Sequence, residues 1–256
     1  MIFLNESEKF LLEEIVKKNF AAKYKGSVLG ILWSVLKPLF IMILLTIIFS
    51  TAFGYTISNY PVYFLSGKCI YDFFSAATSL SLMSIKNNEN ILKRTSPPTH
   101  IFILGGIISE FINFIITVII LIFVMIVTHA HFYFFTMPLA IIPIIFCMMI
   151  IIGLGFLLSI ICVYYNDIQH LWGVITLMLM YASAIFYPMD IIPDPYHKYL
   201  LLNPIYWIIS QFRDFMMYGT FPDTMNLINT FLISMIILIF GIIIYKKYGK
   251  NIAIKL

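Results

Sequence analysis

An all-helical, polytopic membrane bundle is the fold this sequence predicts, and three observations predict it. Hydrophobic residues make up 61% of the 256 and charged residues only 11%, with a mean hydropathy of +0.97. Six apolar stretches, 30–52, 60–83, 101–127, 138–164, 171–188 and 227–245, are long enough to cross a bilayer, since about 20 residues at ~1.5 Å rise each cover its ~30 Å hydrocarbon core. A helix satisfies its backbone hydrogen bonds within itself, so each stretch reads as a spanning helix. Finally, the basic residues are sorted by side. With six spans both termini share one face, which collects Lys9, Lys17, Lys18, Lys23 and Lys25, then Lys86, Lys93 and Arg94, then Lys246, Lys247, Lys250 and Lys255. The opposite face holds Lys198 and Arg213, while Lys37 and Lys68 lie near span ends. Positive charge stays cytoplasmic, so both termini are expected inside, with the chain in the cytoplasmic (inner) membrane.

The remaining segments are too short for a catalytic soluble domain, which rarely falls below ~50 residues. Two regions are expected: 1–29 as a cytoplasmic interface helix and 30–256 as the membrane domain. The net charge of +4 does not point to nucleic acid. The opening residues, with Glu6, Glu8, Glu13 and Glu14, do not read as a secretory signal. Cys69, Cys147 and Cys162 fall within predicted spans and read as small apolar packing residues.

Residues 5–22 predict an amphipathic helix. Asn5 and Glu8 have the spacing of a capping box, and Leu12, Val16 and Phe20 form an apolar ridge widened by Leu11 and Ile15. Such a helix lies in the interface rather than across it. Gly26 and Gly30 form a small-xxx-small pair at the start of the first span, suited to close helix approach. Pro38 inside that span removes a backbone bond, and Lys37 beside it can snorkel to the headgroups. The second span carries Lys68 and Asp72 at i,i+4, an expected ion pair. It also carries Tyr60, Tyr63, Phe64, Tyr71, Phe73 and Phe74, which suit either an interfacial belt or a polar conduit with stacking faces.

Residues 84–100 form the main cytoplasmic loop, with a short helix over 85–94 stopped by Pro97-Pro98. The exposed apolar pair Ile91 and Leu92, with Lys93 and Arg94, suggests docking to a soluble partner. The third span contains Glu110 and Asn113. An intramembrane carboxylate is costly, so it marks a functional site, a protonated structural acid or a partner for another helix. His129 and His131 occupy the next turn, and two such ligands make no metal site. A second cytoplasmic turn spans Tyr164 to His170. The fifth span then runs to Phe186-Tyr187-Pro188, and 188–225 is proline-rich. Within it, 204–218 is apolar but only ~22 Å long as a helix, which fits a re-entrant element ended by Gly219.

No Gly-x4-Gly-Lys-[Ser/Thr] loop, dinucleotide fingerprint, His-Glu-x-x-His or nucleophile elbow occurs. Nor are there two similar halves with broken helices, the mark of many ion-coupled transporters. A non-enzymatic conduit driven from elsewhere remains.

Several segments resemble a known family. Lys23-Tyr24-Lys25-Gly26-Ser27-Val28-Leu29-Gly30-Ile31-Leu32-Trp33-Ser34 is similar to the first-span start of ABC-2 type permeases that export lipid-linked cell-surface polysaccharides. Asn90-Ile91-Leu92-Lys93-Arg94 resembles their first coupling loop and Asn166-Asp167-Ile168-Gln169-His170-Leu171 their second. Phe186-Tyr187-Pro188, Leu202-Asn203-Pro204, Arg213-Asp214 and Tyr218-Gly219 resemble their outer region. The resemblance implies a homodimer paired with two copies of a separate subunit that holds ATP and Mg, with no cofactor in this chain. It implies a polyprenyl-linked glycan of O-antigen or teichoic-acid type as substrate. It also implies partner docking through Asn90, Ile91, Leu92, Lys93, Arg94 and Asp167. Trp33, Tyr63, Tyr71, Tyr181 and Tyr187, with Lys68 and Asp72, become path candidates, and Trp207 and Arg213 outer-gate candidates. Two alternatives stay open: an ABC-2 exporter of a drug or lipid, and an intramembrane enzyme acting on polyprenyl-linked lipid. The enzyme would need Glu110, Asp167 and Asp214 to converge.

Overall fold

The structure, a computed structural model, describes residues 5–53, 57–95 and 97–249. Lys250, Lys255 and Ser96 of the cytoplasmic segments lie outside the described residues. Most of those described are helical, with no strand among them. Helix α1 (Glu6–Tyr24) begins as its pattern predicts: the Asn5 backbone N–H donates to the Glu8 carboxylate at 2.9 Å. Of its apolar ridge Ile15 is buried, and it packs over Gly105, where an added Cβ would lie 2.6 Å from the Ile15 side chain. The glycine thus lets α1 lie close against α5 (His100–Val127).

Helix α2 (Leu32–Phe53) contains Pro38. Gly26 and Gly30, expected to pack helices closely, do something else. Both have positive φ (78° and 48°) and open space where a Cβ would be. They shape the turn from α1 into α2, because only glycine adopts that backbone without strain.

Helix α3 (Tyr60–Met83) is the central post. It packs against α5, α6 (Ile141–Tyr164), α2, α7 (Ile168–Tyr181) and α9 (Pro204–Arg213). Its partners surround it, so Phe64, Ile70, Phe74 and Ala77 are fully enclosed. That explains its lower hydropathy: a helix sheathed by protein can carry serines and a charged pair that lipid would not tolerate. After α3 a short 3-10 turn, Lys86–Asn88, leads to α4 (Glu89–Thr95).

Among the described residues, four helices are long and apolar enough to cross a membrane: Leu32–Phe49 within α2, α5, the Met137–Tyr164 segment containing α6, and α10 (Thr224–Tyr248). Helix α3 is 24 residues long but less apolar, and α7 has only 14 residues. The fifth apolar stretch was expected to run to Pro188, yet the helix stops at Tyr181. The chain turns over 182–187 because side chains from other helices take its carbonyls, as described below. Helix α8 (Asp194–Leu201) and α9 follow. A π-turn, Asp214–Tyr218, ends at Gly219 (φ 66°), with the Tyr133 ring filling the place of its missing Cβ.

Helices α6 and α10 make the closest crossing. A Cβ on Gly153 would meet the Ile237 carbonyl oxygen at 2.4 Å, and one on Gly241 the Gly153 carbonyl oxygen at 2.1 Å. Backbone touches backbone there, the way membrane helices gain dispersion contact without a hydrophobic drive.

Candidate functional site

A crevice of about 490 Å³ opens between α1, α2, α3 and α5. It exists because α2 leans away: only 6% of its apolar window is buried. Along α3 the crevice reaches from Ser79 to Phe64, about 22 Å of helix. Its walls are charged. The Lys23 ammonium bonds both Glu110 carboxylate oxygens, at 2.9 and 3.1 Å, and Asn113 donates to the same carboxylate at 3.0 Å. Tyr24 in turn donates to Asn113 Oδ1 at 2.9 Å. Glu110 is therefore a partner for a neighbouring helix, one of the three roles its position allowed. Deeper in, Lys68 and Asp72 form the expected i,i+4 pair. Trp33 and Lys37, both exposed, complete the α2 wall.

The path candidates separate into groups. Trp33, Lys68 and Asp72 line this crevice. Tyr71 is buried and donates to the Thr176 carbonyl of α7. Tyr181 is exposed near the end of α7.

Tyr63 meets the gate candidate Arg213 around the 182–187 turn, and Tyr187 at the end of that turn donates to the Tyr181 carbonyl. Tyr63 donates to the Ala184 and Tyr187 carbonyls at 2.9 and 2.8 Å, and Tyr60 to Phe186 at 3.0 Å. Arg213 is only 5% exposed. It donates to the Ala184, Tyr63 and Ile185 carbonyls at 3.0, 3.1 and 3.4 Å, and its guanidinium lies 3.6 Å from the Tyr63 ring centroid. Among the described residues no carboxylate lies within ion-pair distance of it. Carbonyl dipoles, the Ser66 hydroxyl and a ring face surround the charge, an arrangement that a planar five-donor guanidinium can exploit and an ammonium cannot. Asn203 adds bonds to Ala182 and Ser183. The other gate candidate, Trp207, is half-buried and donates its indole N–H to the Leu201 carbonyl at 2.8 Å.

At the opposite end the connectors converge. Lys86 bonds Asn166, joining the α3–α5 connection to the α6–α7 turn, and Lys18 bonds Asn88 at 2.9 Å, bringing in α1. Asn90, Ile91, Lys93 and Arg94 are exposed on α4, as is Asp167 at the start of α7. Leu92 departs from the expectation that it projects outward: it is 1% exposed and belongs to the core. In a seven-residue helix one side must face the bundle, and Leu92 is on it.

Residues that sequence reasoning undervalued are the glycines of contact and the polar holders of the 182–187 turn. Asn203 was legible as an element start, since it caps α9 through a 3.0 Å bond from Ile205 N–H. Its second role, holding a distant turn, left no local signal. Glu110, Asp167 and Asp214 do not converge. They sit in the crevice, at the start of α7 and in the π-turn after α9.

Apolar helices of membrane-crossing length, a charged crevice beside them and a surface built from connectors define a multi-pass membrane protein of the transport type. The sequence profile of the ABC-2 type transporters matches residues 11–217, and the chain belongs to that family. It is similar to the O-antigen export system permease protein RfbA of Klebsiella pneumoniae, 28% identical across 82% of this chain and 81% of the relative. It is also similar to the polysialic acid transport protein KpsM of Escherichia coli, at 22% across 94% of each. A third relative is the capsule polysaccharide export inner-membrane protein CtrC of Neisseria meningitidis, 20% identical across 96% of this chain and 93% of the relative.

Proposed function

We propose that this chain is the permease subunit of an ATP-driven exporter that moves lipid-linked cell-surface polysaccharide across the inner membrane. The observation that carries this is the end-to-end similarity to relatives named for O-antigen and capsule polysaccharide export. Those names favour O-antigen or capsule glycans over teichoic acid. The chain supplies no nucleotide chemistry in this reading: ATP and Mg belong to two copies of a separate subunit, and two permease chains pair.

The geometry supports this division of labour. In this reading the ATP-binding partner docks on the exposed Asn90, Ile91, Lys93, Arg94 and Asp167, on connectors that the Lys86–Asn166 bond ties together. Leu92 acts beneath it, fixing α4 to the bundle. Six crossings are proposed, by α2, α3, α5, α6, α7 and α10, with α8 and α9 re-entrant from the outer face. Both termini then face the cytoplasm, where the basic residues collect. Pairing of two chains would cover α7, whose apolar side chains Leu171, Val174 and Leu177 are exposed. Trp33, Lys68 and Asp72 offer the polar wall, and Tyr181 and Tyr187 aromatic faces, along which a hydrated glycan slides. Tyr63, Tyr71, Trp207 and Arg213 hold the outer turn and α7 in register.

The test is reconstitution of the permease with its ATP-binding subunit in proteoliposomes. Lipid-linked glycan should stimulate ATP hydrolysis and become accessible to a glycosidase on the far side. ATP turnover by this chain alone, or hydrolysis indifferent to glycan, would refute the reading.

A further inference from the structure

We infer that the α1–α2–α3–α5 crevice is a binding site for the phosphate of an anionic lipid headgroup, with Lys37 as its principal contact. The wall charges set the ligand. Lys23, Lys37 and Lys68 face the space together with Glu110 and Asp72, so three positive charges meet two negative ones and one positive charge is left. Lys23 is matched to Glu110 and Lys68 to Asp72. Lys37 has no carboxylate within ion-pair distance among the described residues. The surplus therefore sits at Lys37, near the start of α2, and it suits the phosphate anion of a lipid.

The surroundings specify a lipid. Trp33, 46% exposed, stands one turn before Lys37 and is a residue type that settles at headgroup depth. The outward face of α2 next to the crevice is apolar, with Phe40, Ile43 and Leu44 exposed. A headgroup in the crevice can keep its acyl chains along that face, an anchorage that a free phosphate lacks. Lys23 shares its ammonium with Glu110 but is itself 44% exposed in its side chain, so it can turn a donor toward a bound phosphate without leaving its acid.

The chemistry is common to a bilayer phospholipid and to the phosphate of a lipid-linked carrier. The inference stands apart from the export reading, because binding needs no nucleotide, partner or glycan. Lost export with intact lipid retention would count against that reading and not this one.

The experiment is native mass spectrometry of the full-length chain released from nanodiscs of phosphatidylglycerol in phosphatidylcholine. Wild type should retain one phosphatidylglycerol per chain. Lys37→Gln should weaken retention about fivefold, the worth of one basic side chain at an anionic membrane surface. Lys37→Arg should restore it. Lys25→Gln, an exposed lysine in the turn outside the crevice, should match wild type. In nanodiscs doped with polyprenyl phosphate, displacement of phosphatidylglycerol identifies the carrier as the source, and persistence identifies the resident phospholipid; either supports the site. Equal retention by wild type and Lys37→Gln overturns the proposal. So does an equal drop in Lys25→Gln, or displacement by inorganic phosphate alone. Matching thermal unfolding curves for Lys37→Gln and wild type exclude misfolding as the cause of a loss.

Discussion

Arg213 shows how a single residue can hold an outer region together without an ion pair. Its guanidinium is enclosed, so every donor that loses its carbonyl becomes a buried unmatched group, at a cost of about 1–3 kcal/mol. Arg213→Gln should therefore lower stability by about 3 kcal/mol, read as an earlier thermal unfolding transition in detergent. Arg213→Lys should recover only part of the loss, because an ammonium cannot reach several carbonyls in one plane. Gly67→Ala should reproduce the defect from the other side: its Cβ would lie 2.5 Å from Arg213 Nη2. If Gly67→Ala unfolded like wild type while Arg213→Gln did not, the clamp would not depend on that close approach. The sequence marked Arg213 as unusual, being a cation in an apolar stretch. It could not reveal that carbonyls of residues 184 and 185, about thirty positions away, answer it.

At the scale of elements, α4 and the α6–α10 crossing make opposite kinds of demand. Helix α4 has two faces with separate tasks, and substitutions should separate them. Ile91→Asp is expected to leave folding intact and reduce permease-stimulated ATP hydrolysis by the partner subunit at least several-fold. Leu92→Asp instead buries a carboxylate in the core and should lower the amount of folded protein in the membrane. Comparing monodisperse yield with ATP hydrolysis for the two variants checks this; identical profiles would show that both side chains serve one role. At the crossing, Gly241→Ala should cost about 1–3 kcal/mol through overpacking, because its methyl group meets backbone that cannot rotate away. Reduced yield and an earlier unfolding transition are the measure. The four long apolar helices were legible from hydropathy. The early end of α7 was not, since its apolar run continues through Ile185 and Phe186. Side chains distant in sequence, Tyr60, Tyr63, Asn203 and Arg213, take the carbonyls there.

For the whole molecule, the arrangement of connectors predicts a topology. With α4 and the α6–α7 turn on one face, and basic residues gathered there, Lys93→Cys should react with a membrane-impermeant maleimide only when the cytoplasmic side is exposed. Tyr199→Cys on α8 should react from outside. The native Cys69, Cys147 and Cys162 are buried, so background labelling should be low. Labelling of Lys93→Cys in intact cells would invert the bundle and sever the link to an ATP-binding partner.

Composition and pattern alone determined that this chain is helical and made for a membrane, roughly where its apolar helices run, and which end carries its charge. Those properties are summed along the chain over tens of residues, each paying the same transfer cost wherever its neighbours lie. Tertiary structure decided the pairing of Lys23 with Glu110, the inward turn of Leu92, the clamp at Arg213 and the turn role of Gly26 and Gly30. Each of these depends on which atoms of distant helices come within a few ångströms, and no local periodicity encodes that distance.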